Sequence, residues 1–159
     1  MTEDWPLRPY LAGDVMILRE LFAASVEELM QDDYDENQRA AWVSIAEDEV
    51  EFQVRLGEQL TLVVEVEGEQ MGFVSLKDNS VLDMLYVHPH YVGQGIGTAL
   101  VEAVEKIAKA RGAKSIAVDS SDTAQMFFEE RGYSATQRTT LPLEDELLSM
   151  TAMVKTLKT

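Results

Sequence analysis

The chain predicts a mixed α/β domain folded in one piece, and three observations carry that expectation. Its 159 residues fit one domain, and a composition 46% apolar and 26% charged can bury a core. Apolar residues recur at helical spacing in some stretches and at strand periodicity or strand length in others, in the order α α β β β α β α β β. No internal repeat, low-complexity block or linker divides them.

Taken in order, Asp14 is placed to cap a helix whose Ile17, Leu18, Leu21, Phe22 and Val26 form one apolar stripe ending at Met30. Gln31, Asp32 and Asp33 end it. A second helical region is expected over about 36–56, interrupted near 46–48. Leu60–Val66 and 71–76 read as a hairpin about Glu67 and Gly68. Asp78, Asn79 and Ser80 then turn the chain into Val81–Val87, whose single charge is Asp83. A Gly-bearing loop over 88–95 leads to a long helix over about 97–111, with Leu100, Val101 and Val104 inward and Gly112 as its stop. A short strand over 115–118 precedes a helix capped by Asp122 or Thr123 and ended by Gly132. Two final strands, over 133–141 and 147–157, are joined through Pro142, Asp145 and Glu146.

Composition narrows the function. Thirteen Lys and Arg against 29 Asp and Glu give a formal net charge of −16. Phosphate backbones and anionic lipid surfaces are held by clustered cations, so neither nucleic acid nor a membrane is expected as a partner. A cationic substrate such as a polyamine, an aminoglycoside or a lysine side chain would be drawn to this field, although acidity serves solubility equally well. Apolar runs fall far short of the roughly 18 residues that span a bilayer, and no basic-then-apolar leader opens the chain. A soluble, cytoplasmic protein is expected. The absence of Cys removes disulfides, thiolate metal sites and a cysteine acyl-enzyme.

The stretch that carries chemistry runs from Leu85 through Val87, His88 and Pro89 to Val92, Gly93, Gln94, Gly95, Ile96, Gly97 and Thr98. A strand passing through a Gly-rich turn into a helix is an anion site. Amides at the helix start have no partner within the helix, the helix dipole adds partial positive charge, and glycine lets backbone approach a phosphate closely. A P-loop fits poorly because no G-x-x-x-x-G-K-[ST] is present. The dinucleotide fingerprint fits poorly too, since Gly93, Gly95 and Gly97 are spaced by two.

These residues resemble the GCN5-related N-acetyltransferase (GNAT) family, whose pyrophosphate loop is written Q/R-x-x-G-x-G/A and reads here Val92, Gly93, Gln94, Gly95, Ile96, Gly97. The likeness extends to the strand ending LYVHP, to the helix ending Ala110, Arg111, Gly112, and to 124–133, which is similar to the family's A-x-x-x-Y-E-K-x-G-F. The opening Leu7, Arg8, Pro9 and Asp14 is similar as well, so nearly the whole chain is covered.

The resemblance implies one domain over 1–159, with a central, mostly antiparallel, splayed sheet of six to seven strands flanked by helices. It also implies acetyl-CoA as co-substrate, no metal, and transfer to an amine on a small molecule or peptide by direct attack. Backbone amides of Val92, Gly93, Gln94, Gly95, Ile96, Gly97 and Thr98 would then hold the pyrophosphate. Leu85, Tyr86 and Val87 would pair with the pantetheine as an added strand does, the Val87 N–H would meet the developing oxyanion, and Ser121 stands where relatives place an Asn. Two positions depart from the pattern. Val92 replaces the loop's first Gln or Arg, and Phe128 replaces a Tyr held to protonate the leaving thiolate. The alternative these departures leave open is a non-catalytic, acyl-CoA-binding regulatory module.

Further candidates are read from the residues. Asp83 is the only carboxylate on its strand, and period-2 alternation puts it on the face of Leu85 and Val87, as a candidate base or a surface residue. Tyr34, Gln38 and Trp42 lie one helical turn apart and form either the wall of a substrate pocket or a core stripe. His88 and His90 flank Pro89 without a third ligand, so they read as loop polarity rather than a metal site. The apolar segment over 147–154 suits either a homodimer contact or a core strand.

Overall fold

A computed structural model describes residues 4–158. The strands are β1 (Leu7–Pro9), β2 (Leu60–Val66), β3 (Glu69–Lys77), β4 (Val81–Val87), β5 (Ser115–Ser121), β6 (Ser134–Leu143) and β7 (Glu146–Thr156). The helices are α1 (Val15–Leu29), α2 (Glu36–Val43), α3 (Glu49–Glu58), α4 (Ile96–Ala110) and α5 (Gln125–Glu130). The strands form one seven-stranded sheet in the order β1-β2-β3-β4-β5-β7-β6. Every pairing is antiparallel except β4 with β5, which is parallel. Among the described residues no helix is long and apolar enough to cross a membrane.

Alternation along each strand divides the core in two. Val63, Phe73, Met84, Leu148 and Met150 pack on one face with Leu18, Phe22, Phe52 and Leu56 of α1 and α3. Leu62, Val64, Val74, Leu82, Ile116, Val118 and Met153 face the other way, onto Leu100, Val101, Val104 and Ala108 of α4. The α4 stripe is the one its sequence spacing predicts.

Four local expectations are corrected. Asp14 does not cap α1: its side chain makes no cap bond. It instead accepts two bonds from Arg8, at 2.8 and 2.9 Å, and one from the Leu11 amide at 2.8 Å. Leu7–Pro9, read only as an opening segment, is an edge strand paired with β2. Pro142 lies inside β6, which is the opposite edge, where a missing N–H costs no ladder bond on the solvent side. The connection is therefore the two-residue turn Glu144 and Asp145, both at positive φ as a tight hairpin requires. Finally, neither Asp122 nor Thr123 caps α5; the Ser121 hydroxyl accepts from the Ala124 amide at 3.1 Å.

Candidate active site

The two edges of β4 differ. Toward β3 the strand is paired from Val81 to Val87, whereas toward β5 the ladder holds only Val81↔Ala117 and Leu82↔Val118. His88 N donates to Met71 O at 2.8 Å. By antiparallel parity the peptide groups of Met84 and Tyr86 therefore turn to β3, and those of Leu85 and Val87 turn to the open side. The wedge begins at a bulge: Ser75 pairs with Met84 and Leu76 with Leu82, leaving Asp83 as the extra residue.

The open edge leads into the loop. His88 Nδ1 accepts from His90 N at 3.1 Å and caps the short turn Pro89–Tyr91. Among the described residues no group of three His, Cys, Asp or Glu side chains gathers to hold a metal. Gly93 and Gly95 sit at φ +78° and +87°, a conformation that places the following amides at the start of α4 with no helical acceptor. A cavity of about 360 Å³ opens here, lined by Val87, Val92, Gly93, Gly95, Ile96, Gly97, Thr98, Phe127 and Arg131. A Cβ on Gly97 would stand 3.2 Å from the Phe127 ring, so only glycine leaves that ring its place. A second cavity of about 620 Å³ flanks the same loop between Trp5, Gln94, Thr98 and Lys106. These amides and hollows fit a diphosphate bearing a long, amide-containing chain.

Three residues at this site were not read from the sequence. The Trp5 indole N–H donates to Gln94 O at 3.0 Å, bracing the loop from the chain's start. Phe127, rather than Phe128, lines the cavity. Phe128 is buried on the α4 side against Tyr133, with ring centroids 5.2 Å apart. The Arg131 guanidinium lies 3.7 Å from the Phe127 ring centroid and bonds to Thr98.

The opposite face holds Asp83. Its expected place beside Leu85 and Val87 is corrected, because the bulge interrupts alternation and turns the carboxylate toward α3. There it accepts from Arg55 Nε at 2.8 Å, Arg55 Nη2 at 3.0 Å and Gln59 Nε2 at 2.9 Å. Burial alone would raise this carboxyl, but the Arg55 guanidinium and Gln59 amide outweigh it and hold the group below the ordinary carboxylate range. A groove of about 790 Å³ runs past it, lined by Asp48, Glu51, Glu58, Asp83 and Glu144, with Arg55 and Lys77 as its cations.

Tyr34 and Trp42 are buried in the core under α1 and are absent from the lining of that groove. The Tyr34 hydroxyl donates to Ser149 O at 2.7 Å and accepts from Asp122 N at 2.9 Å, tying the end of β5 to β7. Trp42 Nε1 donates to the Tyr86 hydroxyl at 3.1 Å. Burial pushes both tyrosines up to about 12, so they stay neutral. The 147–154 segment is a core strand bonded on both sides, by β5 and by β6, and not a free edge.

The acetyltransferase (GNAT) domain family matches residues 30–157. The chain belongs to this family. As a GNAT acetyltransferase its acyl donor is acetyl-CoA. The chain is similar to a protein of Rhodopseudomonas palustris described as a GCN5-related N-acetyltransferase and also as a class-II aminotransferase. Identity to that crystal structure is 48%, coverage is 99% of this chain and 98% of that one, and the TM-score is 0.96. An uncharacterised N-acetyltransferase, YafP of Escherichia coli strain K12, is 29% identical over 83% of each chain. The PaiA N-acetyltransferase of Thermoplasma acidophilum, crystallised with coenzyme A, shares the fold at 20% identity, with a TM-score of 0.79 over 97% of this chain and 99% of that one.

Proposed function

We propose that this GNAT protein is a cytosolic enzyme that acetylates a primary amine by direct attack, without an acyl-enzyme. The observation that carries the proposal is the one-sided pairing of β4, whose free edge runs straight into the amides of 93–98. The thioester of bound acetyl-CoA supplies an activated acetyl carbon. The chain's own groups do the rest. Amides of Gly93 through Thr98 hold the anion, Leu85 and Val87 offer peptide groups to the pantetheine, and the Val87 N–H meets the oxyanion.

The acceptor approaches from the other face, through the groove of Asp48, Glu51, Glu58, Asp83 and Glu144, whose carboxylates favour a cation. Asp83 is ionised and anchored by Arg55, so it positions the ammonium and leaves its proton to water. Phe128 cannot act as a general acid; a coenzyme A thiolate departs without one.

The test is calorimetric titration with acetyl-CoA and coenzyme A, followed by thiol release against a panel of neutral and cationic amines. Micromolar binding with turnover on a cationic amine is expected. Binding without turnover on any amine would replace this proposal with the regulatory module. No binding of either ligand would sink both.

A further inference from the structure

We infer that Arg131 supplies the side-chain ligand to the coenzyme A pyrophosphate that Val92 cannot, an inference that rests on the acetyl-CoA reading above. Arg131 follows α5 and reaches the rim of the loop cavity. Three contacts fix its guanidinium there. Nη1 donates to Phe127 O at 2.7 Å, Nε donates to Thr98 Oγ1 at 3.0 Å, and Nη2 donates to the same oxygen. The planar group also lies on the Phe127 ring, 3.7 Å from its centroid.

Three of the five guanidinium N–H groups are thereby used, and two remain for a ligand. Thr98 Oγ1 accepts twice from Arg131, so its own proton is left to donate. Its amide is among the first of α4, so the hydroxyl and the guanidinium stand beside the unpaired amides that receive the phosphate.

Charge suits the position, with Lys106 the other cation flanking the loop. Arg8, Arg55 and Lys155 each hold a carboxylate within 3.0 Å. Among the described residues the ion-pair partner of Arg131 is Glu130 alone, at 3.8 Å and with its side chain 67% exposed, so this cation is electrostatically uncommitted. A polyanionic ligand entering a chain of net charge −16 needs such a local cation. The first loop position offers none, since Val92 ends in methyl groups and is partly exposed.

The experiment is calorimetry of the full chain with coenzyme A and with 3′-dephospho-coenzyme A, at low and moderate salt. The proteins are the wild type, Arg131→Gln, and Arg131→Gln combined with Val92→Arg. Thermal unfolding of each ligand-free protein is measured alongside. Arg131→Gln is expected to weaken both ligands about tenfold or more and to flatten the salt dependence, as loss of a charge-assisted bond to phosphate does. Val92→Arg in that background is expected to restore most of the affinity without restoring the contacts to Thr98 or Phe127. Affinity unchanged in Arg131→Gln would overturn the inference while leaving the cofactor reading intact. So would a loss confined to coenzyme A, which would move Arg131 to the 3′-phosphate, or a loss that Val92→Arg does not repair, which would make its role one of packing α5 on α4. Wild type that binds neither ligand would overturn the cofactor reading as well.

Discussion

The sheet face under α4 and the face under α1, α2 and α3 differ in what they offer a ligand. On the α4 side the groups on offer are mostly backbone: the free edge of β4 and the amides after Gly93 and Gly95. On the other side they are side chains, with Asp83, Arg55, Gln59 and the acids of the groove above an aromatic layer of Phe22, Phe52, Phe73 and Tyr86. Backbone recognition tolerates many side-chain changes as long as the chain keeps its path, whereas side-chain recognition changes with each substitution. The difference explains why a loop can lose its leading Gln or Arg and still present the same amides, while nothing comparable names the acceptor.

The sharpest way to break this contrast is Gly95→Val. A β-branched residue at φ +87° is strained by about 1–3 kcal/mol and would turn the first amides of α4 aside. Coenzyme A affinity should fall about ten- to a hundredfold by calorimetry. If it does not, the amides are not the main holders. Next in size is Tyr34→Phe, which leaves Ser149 O and Asp122 N without their partner and should cost about 1–3 kcal/mol in urea unfolding. Coenzyme A affinity should move far less; an equal loss in both would mean that the Tyr34 tie between β5 and β7 sets the wedge directly.

A smaller effect separates the faces by ionic strength. The KM for a cationic acceptor should rise several-fold between about 20 and about 200 mM salt, while that for a neutral amine stays nearly constant. Equal responses would remove the acidic groove as the acceptor's path. The smallest effect concerns Asp83→Asn. Because the folded carboxyl titrates below its unfolded value, the pairing with Arg55 adds stability above the ordinary carboxylate pKa of about 3.9 and loses it as pH falls through the lower folded value. The gap between wild type and variant in unfolding should be under about 1 kcal/mol at neutral pH and close on acidification. A gap that widens in acid would reverse the assigned shift.

Much of the α4 side was legible in the sequence. Leu60–Val66 and Val81–Val87 have the strand limits that their patterns predict, because continuous apolar runs between turn residues mark buried strands. The Gly spacing marked the loop between β4 and α4. What escaped has no local signal. Leu7–Pro9 becomes a strand only through its pairing with β2, some 55 residues away. Trp5 and Arg131 meet the loop across separations of 89 and 33 residues. Strict alternation puts Asp83 on the wrong face because it makes no allowance for a bulge, and the signal that betrays one, a mismatch in pairing count with β3, exists only once both strands are aligned.

That bulge has a bearing on how such an enzyme can change. Leu82 packs under α4, Met84 under α1, Leu85 under α4 and Tyr86 under α1, so with Asp83 set aside the strand alternates without a fault. Asp83 is thus a guest in β4, carried outside the pattern that the core depends on. A lineage could add or delete this one codon and leave every buried neighbour facing as before, trading a carboxylate at the groove without renegotiating the interior of the fold.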